Sequence, residues 1–442
     1  MKERNLTEGN ILSTLLLFAV PFLIANILQS LYGAVDLFVI GRYCDAESVA
    51  AVSTGTQVTQ IITSLITGLT LGSTIIIGQF MGQKNYEKVK STIGTTLTVF
   101  AITAVVLTVL MLAFERPLLQ LLCTPAESFD LTMQYVAVCS MGNIFVCGYN
   151  AISAILRGYG DSKRPMIFVG VSCVINIVLD VIFVKYFGLG VRGTALATII
   201  SQGVSMLTAI VYLKRSSFLF DFRLASFKIV PEIAKKLASV GIPISFQELM
   251  VRISFLYLMM AMNRGGVYAA SVVGIGSKYD VFAMLTTTAT ANALAAITAQ
   301  NMGAGKPERA RKSLWYSLAC TLAVSFCFWV WAQISPESMI GVFTQDAQVI
   351  AAGVPYFRSC SYDYMATAMV FCLNGYLNGR EKTVWTMVSC SVGALVLRMP
   401  MVYLFGKYFA NDLGKLGMIA PIVSIIMACY TLGYVLYEGR RI

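Results

Sequence analysis

Histidine is absent from the 442 residues, and with it go haem ligation, HExxH zinc chemistry and any Ser-His-Asp relay. Charge is scarce as well: 12% of residues are Asp, Glu, Lys or Arg, against 57% that are hydrophobic. The eleven cysteines form no CxxC pair and fall mostly inside apolar stretches, so they read as small core residues, not as a disulfide framework or a zinc site. There is no GxxxxGK[ST] loop to cradle a nucleotide and no DDxxD run of the kind a lipid-processing transferase needs. An enzyme is not expected, and neither is a cofactor.

What is present is apolar length. A mean hydropathy of +0.73 lies far above that of water-soluble domains. Stretches bounded by charged or turn residues give spans near 11–38, 47–80, 92–114, 129–155, 166–187, 194–213, 237–262, 269–300, 313–333, 348–376, 384–406 and 416–437. The fold class expected is therefore an all-α membrane protein of twelve transmembrane helices. The polar segment Met1 to Asn10 precedes an apolar run too long for a signal-peptide core, so no cleavage is expected.

The net charge of +11 falls between the spans, in clusters such as Lys84, Lys88 and Lys90, or Lys306, Arg309, Arg311 and Lys312. That is the loop bias of a membrane protein, with no basic stripe interleaved with aromatics, so nucleic acid is not an expected partner. An inside N-terminus places about 22 Lys and Arg on the cytoplasmic side. About seven then lie outside, namely Arg42, Arg116, Lys185, Arg192, Arg264, Lys407 and Lys415. Both termini are expected to be cytoplasmic.

The two halves repeat. Val20-Pro21 to Ser91 realigns with Ile242-Pro243 to Ser313 at a shift of roughly 221 to 222 residues. Gln79-Phe80-Met81-Gly82 matches Gln300-Asn301-Met302-Gly303, Glu87 matches Glu308, and Leu156-Arg157-Gly158 matches Leu377-Asn378-Gly379. The organisation expected is an N-lobe over residues 1–213, a linker over 214–236 and a C-lobe over 237–442. An even number of spans per half makes these two six-helix bundles related by a pseudo-two-fold axis along the membrane normal, with substrate between them. The linker carries six basic residues among Phe218, Leu219, Phe220 and Leu224 and belongs at the cytoplasmic interface.

Ionisable groups inside apolar spans are costly and mark candidate sites. Asp180 follows Asn176 by four residues and Thr198 follows Thr194 by four, so each pair projects from one helical face. Asp36 adds a second carboxylate if the first, fifth and sixth spans pack together. Carboxylates, an amide oxygen and hydroxyls suit a hard monovalent cation such as Na+, and the acid pair could instead share a proton. The alternative is that these groups only satisfy one another as packing contacts. In the second half, Glu248 and Arg252 stand one turn apart and can neutralise each other, Lys278 and Asp280 flank a Gly-rich stretch, and Arg398 can anchor its span to a carboxylate such as Asp363. Glu248, Lys278, Asp280, Asp363 and Arg398 are candidates for the substrate cavity or lobe interface.

Several segments resemble the multidrug and toxic compound extrusion (MATE) transporters. They are Val35-Asp36-Leu37-Phe38-Val39-Ile40-Gly41, Leu156-Arg157-Gly158-Tyr159-Gly160-Asp161-Ser162-Lys163, Asn176 to Asp180, and Gly190 to Thr198; the second half adds Gly276 to Asp280 and Gln300 to Gly305. The resemblance spans nearly the whole chain and looks closest to the MepA-like bacterial branch. It implies an antiporter whose lobes rock between inward-open and outward-open states, exporting organic cations or amphiphiles as Na+ or H+ enters. It carries the cation-coupling site to Asp36, Asn176, Asp180, Thr194 and Thr198. Glu248 and Asp363 lie in spans where some members use acids, Glu248 one turn from the place the NorM-like branch uses. The implied setting is a bacterial cytoplasmic membrane, with small amphiphiles and membrane lipids as partners and a monomer as the working form. A lipid-linked saccharide flippase of the same superfamily, or an intramembrane lipid-processing enzyme, stands as the alternative.

Overall fold

The computed structural model describes residues 5–122, 124–216, 218–223, 226–263, 267–409 and 412–439. Arg264 of the orientation count, Leu224 of the linker and Cys123 lie outside the described residues. The described chain is helical throughout, as a hydrocarbon environment demands: lipid offers no partner for a free N–H or C=O, and a helix satisfies both within one segment.

The first half runs α1 (Ile11–Tyr43), α2 (Ala46–Gly82), α3 (Tyr86–Leu121), α4 (Ala126–Met141), α5 (Asn143–Gly158), α6 (Lys163–Asp180) and α7 (Gly190–Arg215). Side-chain caps fix several starts. Asn10 accepts from Ser13 N at 3.1 Å before α1, Asp45 accepts from Ser48 N at 2.9 Å before α2, and Asn85 accepts from Lys88 N at 3.1 Å before α3. A π-helical segment, Val181–Tyr186, continues α6 directly.

The second half runs α8 (Pro231–Asn263), α9 (Val267–Gly303), α10 (Pro307–Ile334), α11 (Pro336–Gly341), α12 (Ala347–Cys360), α13 (Tyr362–Gly379), α14 (Thr383–Ser391), α15 (Met399–Tyr408), α16 (Leu413–Gly417) and α17 (Ile419–Gly439). A second π-helical segment, Val392–Arg398, joins α14 to α15.

Among the described residues, ten helices are long and apolar enough to cross a membrane, and eleven if α4 and α5, bent by 46° at Gly142, count as one span. The stretch expected at 348–376 is divided into α12 and α13 around Ser361. Twelve crossings are reached only by taking that pair as one broken span.

Two compact units emerge. Among the described residues, one comprises those within 5–6, 20–245 and 303–305, the other those within 7–19, 246–302 and 306–439. In the first unit α2 packs against α4 and α5, and α6 against α7. In the second, α13 packs against α10 and α17, and α12 against α16. Buried serines and threonines return their hydroxyls to backbone carbonyls one turn earlier, as Thr70 does to Ile66 at 2.7 Å and Thr132 to Ser128 at 2.7 Å. This lets polar side chains sit in apolar helices.

Close backbone approach within the first unit depends on small residues. A Cβ at Gly72 would lie 2.8 Å from Gly241 Cα, and one at Gly68 would run into the Ser245 backbone. Ser245 Oγ also donates to Leu65 O at 2.7 Å. Gly68 and Gly72 are thus a small-xxx-small face on α2 that seats the first part of α8. Gly68→Ala should lower the unfolding midpoint in detergent by the few degrees that overpacking of about 1–3 kcal/mol implies. Gly274→Ala, with nothing within 4 Å of its added Cβ, should leave the midpoint unchanged or raise it.

Candidate functional site

α1, α6 and α7 meet through a ladder of small polar contacts. Ser172 Oγ donates to Ser201 O at 2.6 Å, Ser205 Oγ to Phe168 O at 3.2 Å, and Cys173 Sγ to Leu28 O at 3.8 Å. These set the helices at a separation where their acids converge.

Asp36, from α1, is 2% exposed, and Asn176 and Asp180, from α6, are fully buried. Asn176 Nδ2 donates to Asp36 Oδ1 at 3.5 Å and to Thr198 Oγ1 at 3.5 Å. Thr198 Oγ1, from α7, donates to Asp36 Oδ2 at 3.2 Å. The two carboxyl groups stand close enough to act on each other, and among the described residues no lysine or arginine is seen to act on either. Both Asp180 oxygens and Asn176 Oδ1 are buried without a hydrogen-bond partner. Four of the five residues expected at the coupling site are therefore gathered in one place. Thr194 is the exception: its hydroxyl turns to Gly190 O at 3.5 Å and joins the backbone of α7.

The cluster has neighbours that the sequence did not single out. Tyr135 and Cys139 of α4 lie close enough to Asp36 to feel its charge, and Tyr135 Oη is 3.4 Å from Thr56 Oγ1 on α2. Nothing in the local pattern of Gln134-Tyr135-Val136 marks them; only the packing of α4 does.

The second-half candidates do not assemble in this way. Arg398, 7% exposed, donates from Nη1 to Ser254 Oγ at 2.9 Å and lies 4.1 Å over the Phe255 ring. Its hydrogen bond goes to Ser254 on α8, and Asp363 is near enough for their charges to interact. Glu248 interacts with Arg252 along α8 as expected. Lys278 is exposed while Asp280, half-buried, faces Asp363 and Tyr364, so Lys278 and Asp280 are not a buried pair. Gln247, Glu248, Asn374, Arg398 and Ser424 line a cavity of about 60 Å³.

The repeat explains the contrast. An offset of 222 pairs Val20-Pro21 with Ile242-Pro243 and Lys185-Tyr186-Phe187 with Lys407-Tyr408-Phe409. At that offset Asp36 corresponds to Leu258, Asp180 to Val402 and Asn176 to Arg398. Leu258 and Val402 are buried in one apolar cluster with Val272 and Phe357. The Asp36–Asp180 pair has no acidic counterpart at the matching places of the second half, whose neighbouring acids, Asp280 and Asp363, stand at other positions.

The sequence profile of one family, MatE, matches residues 21–182 and again residues 243–404. This chain belongs to the MatE family. The MatE transporters most similar to it include the probable multidrug resistance protein YpnP of Bacillus subtilis (strain 168), 27% identical over 93% of this chain and 92% of that protein. The multidrug export protein MepA of Staphylococcus saprophyticus is 23% identical over 92% and 91%. A crystal structure of MATE in the bent conformation superimposes with a TM-score of 0.92 over 99% of this chain and 97% of that one, at 22% identity, which shows the shared fold. As a MatE protein this chain is a multi-pass membrane transporter and not an enzyme.

Within this family member the hydroxyls of Thr194 and Thr198 make opposite choices. Thr198→Val removes a donor to a buried carboxylate, a loss of about 1.5–3 kcal/mol, and should cut transport by tenfold or more. Thr194→Val should stay within twofold of the parent when both are assayed in the same vesicles.

Proposed function

We propose that this protein is a secondary multidrug exporter that moves organic cations or amphiphiles outward in exchange for Na+ or H+. The observation that carries the reading is the buried Asp36–Asp180 pair, beside which no lysine or arginine stands among the described residues. Two carboxyl groups in such contact inside a membrane need a proton or a small cation between them, because mutual repulsion and desolvation together oppose two bare charges. The donor set fits either ion. Asp36, Asp180, Asn176 and Thr198 supply the oxygens that a hard monovalent cation requires, and the unpartnered oxygens of Asp180 and Asn176 are available to it. No group of three or more His, Cys, Asp or Glu side chains gathers among the described residues, which sets this site apart from a transition-metal centre.

Coupling follows if one conformation holds the ion more tightly than the other, since a ligand shifts a two-state equilibrium only by its differential affinity. Ion entry then drives the two halves through alternating access, with substrate leaving as the ion arrives. The names of the relatives, multidrug resistance and multidrug export proteins, support the substrate class. The loop charge supports a cytoplasmic-membrane orientation with both termini inside, and a monomer suffices because the acid pair lies within one chain.

Asp36→Asn and Asp180→Asn should each abolish drug resistance in a pump-deficient host, a fall of at least tenfold in the tolerated concentration, while the purified variants elute and unfold like the parent. Unchanged resistance in both removes the pair from the mechanism. In proteoliposomes, efflux should collapse when the driving gradient is dissipated. Imposing Na+ and H+ gradients separately identifies the ion.

A further inference from the structure

The connection between α7 and α8 carries no part of the ion site, yet it is built with care. Phe220 is buried and packs edge-on against Phe222 at 5.1 Å and Phe227 at 5.5 Å. Thr95 Oγ1 of α3 donates to Lys228 O at 3.2 Å and accepts from Val230 N at 3.2 Å. The Ser226 carbonyl lies against Gly94, where a Cβ would strike it. The connection is therefore clamped onto the first turns of α3, and between them lies a cavity of about 300 Å³ lined by Lys90, Ser91, Phe220, Asp221, Ser226 and Lys228.

Its chemistry has a sign. Asp221 is engaged internally: Oδ1 accepts from Ser226 Oγ at 2.5 Å and from Arg223 N at 3.3 Å, and Oδ2 is 3.6 Å from Arg223 Nε. The Ser226 hydroxyl and these neighbours hold its carboxyl below the usual range, so it stays ionised and paired with Arg223. Lys90 forms an exposed pair with Glu87 at 3.0 Å, a contact of little worth in water. Lys228 is exposed. The Ser226 proton is spent on Asp221, and two ammonium groups and the hydroxyl of Ser91 remain to meet a ligand.

Position selects the ligand. The cavity lies where α3 and α8, both membrane-spanning, begin, which is headgroup depth. Beside it Phe227 and Ile229 are 36% and 45% exposed, large apolar side chains next to lysines, the pattern of an interfacial anchor. We propose that this cavity binds the phosphate of an anionic phospholipid headgroup, with Lys90 and Lys228 on the phosphate, the Ser91 hydroxyl donating to one of its oxygens, and the acyl chains leaving past Phe227 and Ile229. Basic pockets at the ends of spans recognise anionic headgroups by this combination of charge and depth.

The test is retention of phosphatidylglycerol by the purified full-length protein, titrated in neutral detergent and read by native mass spectrometry and by the unfolding midpoint. The parent should bind phosphatidylglycerol well above phosphatidylcholine. The double variant Lys90→Gln/Lys228→Gln should bind it about thirtyfold more weakly, the change expected for two cationic contacts at a membrane surface. Lys90→Arg/Lys228→Arg should retain binding, and Lys214→Gln/Lys235→Gln, an equal loss of charge at residues that do not line the cavity, should bind like the parent. Equal binding of the two lipids, an equal loss in the control variant, or a midpoint rise from inorganic phosphate that matches that from the lipid would overturn the proposal. No ion gradient enters the assay, so its failure would leave the reading of Asp36 and Asp180 untouched.

Discussion

Two carboxyl groups held against each other in a hydrocarbon-embedded protein, with no basic side chain among the described residues to balance them, impose a condition that the surrounding helices must satisfy. Desolvation raises the cost of each charge, and proximity raises it again. A static structure would be relieved by replacing either acid with an apolar residue, and the second half has Leu258 and Val402 at the corresponding places, buried together. The first half keeps the acids and supports them with Asn176, Thr198 and the serine contacts between α6 and α7. Retaining so costly an arrangement makes sense where its occupancy changes during work.

The halves have thus diverged in opposite directions from a shared plan. Where the first places an amide at Asn176, the second places the guanidinium of Arg398, stacked on Phe255 and bonded to Ser254. A guanidinium keeps its proton under all ordinary conditions, so the second half carries a fixed positive charge where the first has an amide, alongside its own acids Glu248, Asp280 and Asp363. The two halves thus carry different chemistry at corresponding positions of the repeat, carboxyl groups and an amide in the first and apolar side chains and a guanidinium in the second.

Much of this was legible in the sequence. The apolar runs marked the spans, and the i, i+4 spacing placed Asn176 with Asp180 on one face, because helical geometry fixes what shares a face. The convergence of Asp36 with them depended on α1 packing beside α6 and α7, which the resemblance implied and the structure realises. What stayed hidden depended on rotation and long-range packing. Thr194 and Thr198 are equivalent by spacing, yet one hydroxyl reaches Asp36 and the other its own backbone. Tyr135 and Cys139 reach the cluster through the packing of α4 against α2 and α7, and no local pattern encodes that packing. Charge pointed Arg398 to Asp363, with which it interacts, but not to the Phe255 ring and the Ser254 hydroxyl that also hold it.

The π-helical segment that follows Asp180 has a structural cost and a use. Each wide turn accommodates one residue beyond the regular spiral, which rotates everything after it by about 100° relative to an unbroken helix. Asp180 sits at the seam, so its own azimuth is set by α6 while Lys185 and Tyr186 follow a different phase. Shortening that stretch by a single residue would re-phase the exit from the membrane without moving the acid. The segment therefore uncouples the orientation of the buried charge from that of the loop leading to α7, and either can be tuned by substitution with little disturbance to the other.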